Sequence, residues 1–257
     1  MNPNHKKTMR PIFLFAAFLL STVLLPLAQA ETIDNAKRYE ACMRLAINDP
    51  DKAFDAALEW HDLGGGHGAD HCAAVALIGL KFYKEGAERL EKLAQEIKAE
   101  NPFRAQLLGQ AGQAWLLAGS FGRARDVQTA ALELDPESVE LLVDRAQAKA
   151  ADKLYFQAID DLNHALELDP ARIDALVFRA TAYRYLDSFD LAREDIDKAL
   201  SMHPDQPDAL LEKGNLLRLT GNDDGARKAW LALLEAAPGS PAALAAQGNL
   251  EKMDVKK

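Results

Sequence analysis

The residues best suited to chemistry stand together in one short stretch. His61, His67 and His71, with Asp62, Asp70 and Cys72, fall within residues 61–72, around Gly64-Gly65-Gly66 and Gly68. Imidazole and thiolate are zinc ligands. Their spacing here matches no paired structural-zinc pattern, so no metal ligand is assigned. The stretch reads instead as a helix–helix loop, with Asp70 expected to cap the next helix. The glycines do not form a phosphate loop, because no Gly-Lys-Ser/Thr follows. A metal or small-molecule site in this loop is kept as an alternative.

No other reactive constellation stands out. The chain holds two cysteines, Cys42 and Cys72. An even count permits a disulfide in an exported chain, with two buried free thiols as the alternative. There is no Gly-x-Ser-x-Gly elbow and no His-Glu-x-x-His pair. The many carboxylates read as solvated helix faces and helix-start charges. The expectation is a protein that is not an enzyme and carries no cofactor.

The first thirty residues have their own pattern. Lys6, Lys7 and Arg10 precede an apolar run from Pro11 to Leu27, which ends in Ala28-Gln29-Ala30 before Glu31. That is the form of a secretory signal peptide over residues 1–30, cleaved after Ala30. An uncleaved anchor is the alternative, since the run is near the length that spans a bilayer. No second apolar run of that length follows, so the mature chain is not expected to span a membrane. Residues 1–30 hold three of the 30 basic side chains and none of the 39 acidic ones, so the remainder carries 27 − 39 = −12. So acidic a chain repels phosphate backbones, which excludes nucleic acid as a partner.

What positions these residues is a repeat. The 257 residues are 49% hydrophobic but only 7% aromatic, a mix that suits helices better than strands. Ala-Leu-Glu-Leu-Asp-Pro occurs at 131–136 and again at 165–170. Related strings end at Pro204 and Pro238, so the prolines at 136, 170, 204 and 238 step by 34 residues. That period is the length of a helix–turn–helix repeat.

Inside each period the residues resemble the tetratricopeptide-repeat (TPR) family. A small residue stands at the eighth position (Gly112, Ala146, Ala180, Gly214) and alanine at the twentieth (Ala124, Ala158, Ala192, Ala226). An aromatic residue stands at the seventeenth in three copies (Phe121, Tyr155, Phe189) but not in the fourth, which has Asp223. The resemblance covers 105–240 as four repeats: 105–138, 139–172, 173–206 and 207–240. It implies an all-α fold, a right-handed superhelical solenoid of antiparallel helix pairs. Residues 31–100 read as degenerate helix pairs on the same stack. Residues 241–257 read as a capping helix and tail carrying Leu244 and Leu250.

The resemblance also implies a function. The first helices of TPR pairs line a concave groove that binds proteins or peptides. Carried over, the groove residues are Gln113, Leu117, Gln147, Thr181, Arg184, Tyr185, Asn215 and Arg218. The uncharged polar row would hold an extended peptide backbone, Arg184 and Arg218 would pair an acidic group, and Tyr185 would give an apolar anchor. The carboxylate-clamp pattern is absent, with Gly109, Val143, Val177 and Leu211 at the fifth position. In such stacks first helices lie side by side, so a Cys42–Cys72 bridge is geometrically reasonable. The expected role is a periplasmic protein–protein scaffold; a self-associating structural subunit is a further alternative.

Overall fold

The computed structural model describes residues 34–255, so the expected signal segment 1–30 lies outside the described residues. Within them the chain is a succession of α-helices with no strand. The helices are α1 (Asn35–Asn48), α2 (Pro50–Trp60), α3 (Gly66–Gly79), α4 (Tyr83–Glu96), α5 (Asn101–Leu117), α6 (Phe121–Leu134), α7 (Val139–Ala151), α8 (Tyr155–Leu168), α9 (Ile173–Tyr185), α10 (Phe189–Met202), α11 (Pro207–Leu219), α12 (Asp223–Ala236) and α13 (Pro241–Val255). Each helix packs on its chain neighbour, and first helices also pack side by side: α1 on α3, α5 on α7, α7 on α9, α9 on α11 and α11 on α13. This is the packing of a TPR solenoid.

The repeat period fixes the packing inside each pair. The twentieth-position alanines Ala124, Ala158, Ala192 and Ala226 are fully buried. Opposite the eighth position stands a residue sixteen further on: Gln128, Leu162, Ile196 and Trp230, all buried. The two positions trade volume. Where Leu162 and Ile196 fill the space, the facing residues are Ala146 and Ala180. Where Trp230 fills it, the facing residue is Gly214, and a Cβ there would lie 2.2 Å from the indole nitrogen. Burying each large aliphatic side chain contributes about 1.5–3 kcal/mol.

Turns close the pairs. The second residue after the first helices α3, α5, α7, α9 and α11 is left-handed: Lys81, Gly119, Lys153, Asp187 and Gly221 have φ of 67°, 72°, 63°, 57° and 84°. This lets the next amides fold back onto the last carbonyls, as Leu154 N–H does onto Lys149 O at 2.8 Å. The fourth repeat lacks the seventeenth-position aromatic but gains a cap. Asn222 Oδ1 accepts from Gly225 N–H at 2.9 Å, and Asp223 and Asp224 follow in the first turn.

Several expectations need correction. α5 has 17 residues against 13 in α7, α9 and α11, because it begins at Asn101 rather than at 105. Pro102 opens this extra turn, and Arg104 Nε donates to Ala94 O, a free carbonyl at the end of α4, at 2.9 Å. Asp70 caps nothing: α3 already begins at Gly66, after a kink over His61–Gly65 in which Gly64 has a φ of 88°. The glycines there make room for an indole, since a Cβ on Gly68 would lie 2.8 Å from the Trp60 ring. In α13, Leu250 is buried with Ala242, Ala243, Ala246 and Met253, whereas Leu244 is 63% exposed.

Candidate functional site

The first helices build one lined face. A cavity of about 540 Å³ opens on it, walled by Met43 of α1, Val75 and Ile78 of α3, Gln113 and Leu117 of α5, and Asp144 of α7. Its place follows from the stacking. The α3 and α5 backbones stand further apart than those of the other first-helix neighbours. The step between them is spanned by side chains: His71 Nε2 and Gln110 Oε1 lie 2.8 Å apart, and His71 Nδ1 lies 2.8 Å from the Tyr39 hydroxyl. His71 is buried, and burial pushes its pKa below the ordinary value while the Gln110 hydrogen bond opposes that.

The wall formed by α1 and α3 is tied covalently. Cys42 and Cys72 form a disulfide with Cα atoms 6.0 Å apart. Cys42 precedes Met43, so the bond fixes the turn of α1 that lines the cavity. The other ligand-type groups of the 61–72 stretch are also engaged. Asp70 Oδ1 lies 2.9 Å from His61 Nδ1, and its Oδ2 lies 3.8 Å from His67 Nδ1. Among the described residues no group of three His, Cys, Asp or Glu side chains is placed to hold a metal ion.

The expected groove residues divide. Gln113 and Leu117 line the cavity together, and Gln113 Nε2 donates to Asp144 at 2.5 Å. The side chains of Gln147 and Thr181 make no hydrogen bond to another described residue. Asn215 is spent on Glu212 and Asn249 at 3.2 and 3.1 Å. The two arginines are not open cations. Arg184 pairs with buried Glu212, and Arg218 pairs with Asp223 at 2.7 Å. Arg184 also lies 4.4 Å from the Tyr185 ring centroid, and Tyr185 stacks on Tyr155 at 4.8 Å. The Arg184 pair is buried, whereas the Arg218–Asp223 pair is open to solvent. Arg218 lies at the far end, in a separate cavity of about 400 Å³ beside Trp230, Asn249 and Lys252.

The carboxylates also depart from the solvated-face reading. Glu91, Asp161, Asp195 and Glu212 are buried. Each meets an arginine. Arg145 forks onto Asp161 at 2.7 and 2.9 Å, with Lys149 at 2.7 Å, and Arg179 forks onto Asp195 at 2.7 and 2.8 Å. Arg123 reaches Glu91 at 2.5 Å, and Arg184 reaches Glu212. The signal was present in the sequence: Arg145/Asp161 and Arg179/Asp195 recur at the same two positions of successive periods.

Asp144 behaves differently. It has no basic partner within 4 Å, and burial pushes its pKa up to about 6. Hydrogen bonds from Gln113 and Gln128 lower it, the Glu140 charge raises it, and the distant Arg172 charge lowers it slightly. Arg172 itself is forked onto Asp174 at 2.7 and 2.9 Å.

The architecture defines a stack of helical hairpins with a lined face on its first helices. Residues 179–241 match the model of the tetratricopeptide repeat, and the 34-residue period of helical hairpins extends that likeness over residues 105–240. Solved structures share the fold. One is Pseudomonas aeruginosa PilF, at 16% identity over 84% of this chain and 99% of that one, with a TM-score of 0.60. A second is TTC0263, a thermophilic TPR protein of Thermus thermophilus, at 18% identity over 72% and 99%, with a TM-score of 0.60. A third is YrrB, a TPR protein with an unusual peptide-binding site, at 21% identity over 69% and 90%, with a TM-score of 0.54. No curated protein sequence matches the chain.

Proposed function

We propose that this protein is a non-catalytic scaffold outside the cytoplasm that holds a partner protein by an extended segment laid on the first-helix face. The observation that carries the reading is the cavity of about 540 Å³ walled by α1, α3, α5 and α7. Solenoids put ligands on such faces because each repeat adds another strip to one continuous surface. Gln147 and Thr181 continue that surface with free hydrogen-bonding groups. Peptide binding by YrrB, a structure of the same fold, supports this use of the architecture. No helix among the described residues is long and apolar enough to cross a membrane. Export is supported by the basic-then-apolar start, by Ala28-Gln29-Ala30, and by a disulfide that persists in oxidising compartments.

Photo-crosslinking tests this reading. A photoreactive residue replaces Leu117 on the lined face or Phe156, which is 73% exposed on the second helix α8. Each variant is expressed in the native host, and adducts are identified by mass spectrometry. A discrete partner adduct from 117 and none from 156 is the expected result. Adducts from 156 alone move binding to the other face and overturn the proposal. Cell fractionation and N-terminal sequencing of the same material check export, with Glu31 expected as the first residue.

A further inference from the structure

We infer that the occupant of the cavity between α3, α5 and α7 is an extended peptide segment carrying a lysine or arginine, whose cation pairs with Asp144 while its neighbouring apolar side chain rests on Met43, Val75 and Ile78. The inference rests on the proposed use of this face and adds the partner's chemistry.

Three observations carry it. The cavity lining holds three carboxylates, Asp135, Glu140 and Asp144, and no lysine or arginine. Everywhere else the array neutralises its inward acids: Glu91, Asp161, Asp195 and Glu212 each have an arginine in contact. Asp144 has only the amides of Gln113 and Gln128, and the one guanidinium near enough to act on it, Arg172, is committed to Asp174. A half-buried carboxylate without a counter-charge is costly, and in a cleft it marks a place where a ligand supplies the missing charge.

The third observation is the opposite wall. Met43, Val75 and Ile78 are partly buried and apolar. A bare metal ion gains nothing from such a wall. A lysine or arginine does, because its hydrocarbon stem lies on apolar surface while its head reaches a carboxylate. Methionine adapts to stems of different shape. Gln147 and Thr181 repeat the register position of Gln113 in the next two periods and are partly exposed, and the segment's backbone would continue over them.

The test uses short degenerate peptide libraries, identical except for a fixed central pair: Leu-Lys, Leu-Gln or Leu-Glu. Binding to the intact protein is read by fluorescence anisotropy at neutral pH. The Lys library is expected to bind roughly tenfold more tightly than the Gln library, and the Glu library most weakly. Asp144→Asn should erase the Lys preference, because the side-chain amide keeps the shape and one acceptor oxygen but carries no charge. Equal binding of all three libraries, or a Lys preference that survives Asp144→Asn, overturns the inference and leaves the groove reading standing. Binding of none of them, with no adduct at 117, removes both. A circular dichroism melt of the variant confirms that it is folded in each arm.

Discussion

The two halves of this array hold their helices together by different chemistry. From α7 to α10 the same devices recur every 34 residues: a small residue facing a large one, and an arginine forked onto a buried aspartate. From α1 to α4 the arginine–aspartate fork does not recur, and the small-facing-large pair appears once, as Ala74 and Leu90. There the helices are joined by the Cys42–Cys72 bond, by the Tyr39–His71–Gln110 chain, and by a glycine-lined turn around Trp60. A regular stack can reuse one solution at every step, since each repeat sees the same neighbours. An end segment with a different step needs individual ties. The cavity opens where the two regimes meet, between α3 and α5.

The largest effect that would break this comparison lies in the regular half. Arg179→Met leaves Asp195, 5% exposed, without its forked partner. An uncompensated buried charge of that kind costs about 3–5 kcal/mol. The double variant Arg179→Met/Asp195→Leu should recover most of that loss, because both charges leave together. Denaturant midpoints followed by circular dichroism check both. A single variant within about 0.5 kcal/mol of the parent means that the fork is solvated, and the picture of a paired ladder fails.

The next effect lies in the irregular half. Replacing Cys42 and Cys72 together by serine releases a loop of 30 residues. The chain-entropy cost is about 3 kcal/mol. Amide exchange should show the loss confined to α1–α3, with α7–α12 protected as before, because contacts in a solenoid reach only neighbouring pairs. Equal loss of protection at both ends would mean that the two halves unfold as one unit.

The sequence made the regular half legible and the other half only in outline. Four prolines at one spacing and the small residues at the eighth and twentieth positions determine pairs, period and packing, and α7 to α12 follow from them. What one repeat cannot show is a contact between repeats. Arg184 looks like a groove cation until Glu212, 28 residues later, is found beneath it. The same limit hid Glu91, whose partner Arg123 lies in the next repeat, whereas Arg145–Asp161 and Arg179–Asp195 lie within one repeat and recur with the period. The 61–72 stretch misled for a different reason. Glycine reads as a loop former, and Gly64 and Gly66 do turn the chain there with φ of 88° and 51°, but Gly65 and Gly68 serve a close approach to the Trp60 ring.

The smallest effect sharpens the contrast between a paired acid and an unpaired one. Asp144 has a folded-state pKa raised from 3.8 to about 6, chiefly by burial. The folded state therefore binds more protons than the unfolded state between about pH 4 and pH 6, and stability falls as pH rises through that window. Below it both states are protonated, and above it the cost is fully present. The cost is on the order of 1–3 kcal/mol. Asp144→Asn should remove it, so the variant should be more stable than the parent at pH 7 and closer to it at pH 4. The measured quantity is the difference between the two unfolding free energies across that range, which cancels the other titrating groups. A carboxylate that weakens the fold at neutral pH is held there at the expense of stability, as binding groups are. A difference that stays flat with pH, or an asparagine variant weaker at pH 7, would place Asp144 among the paired structural acids and take away the reason for a cationic partner.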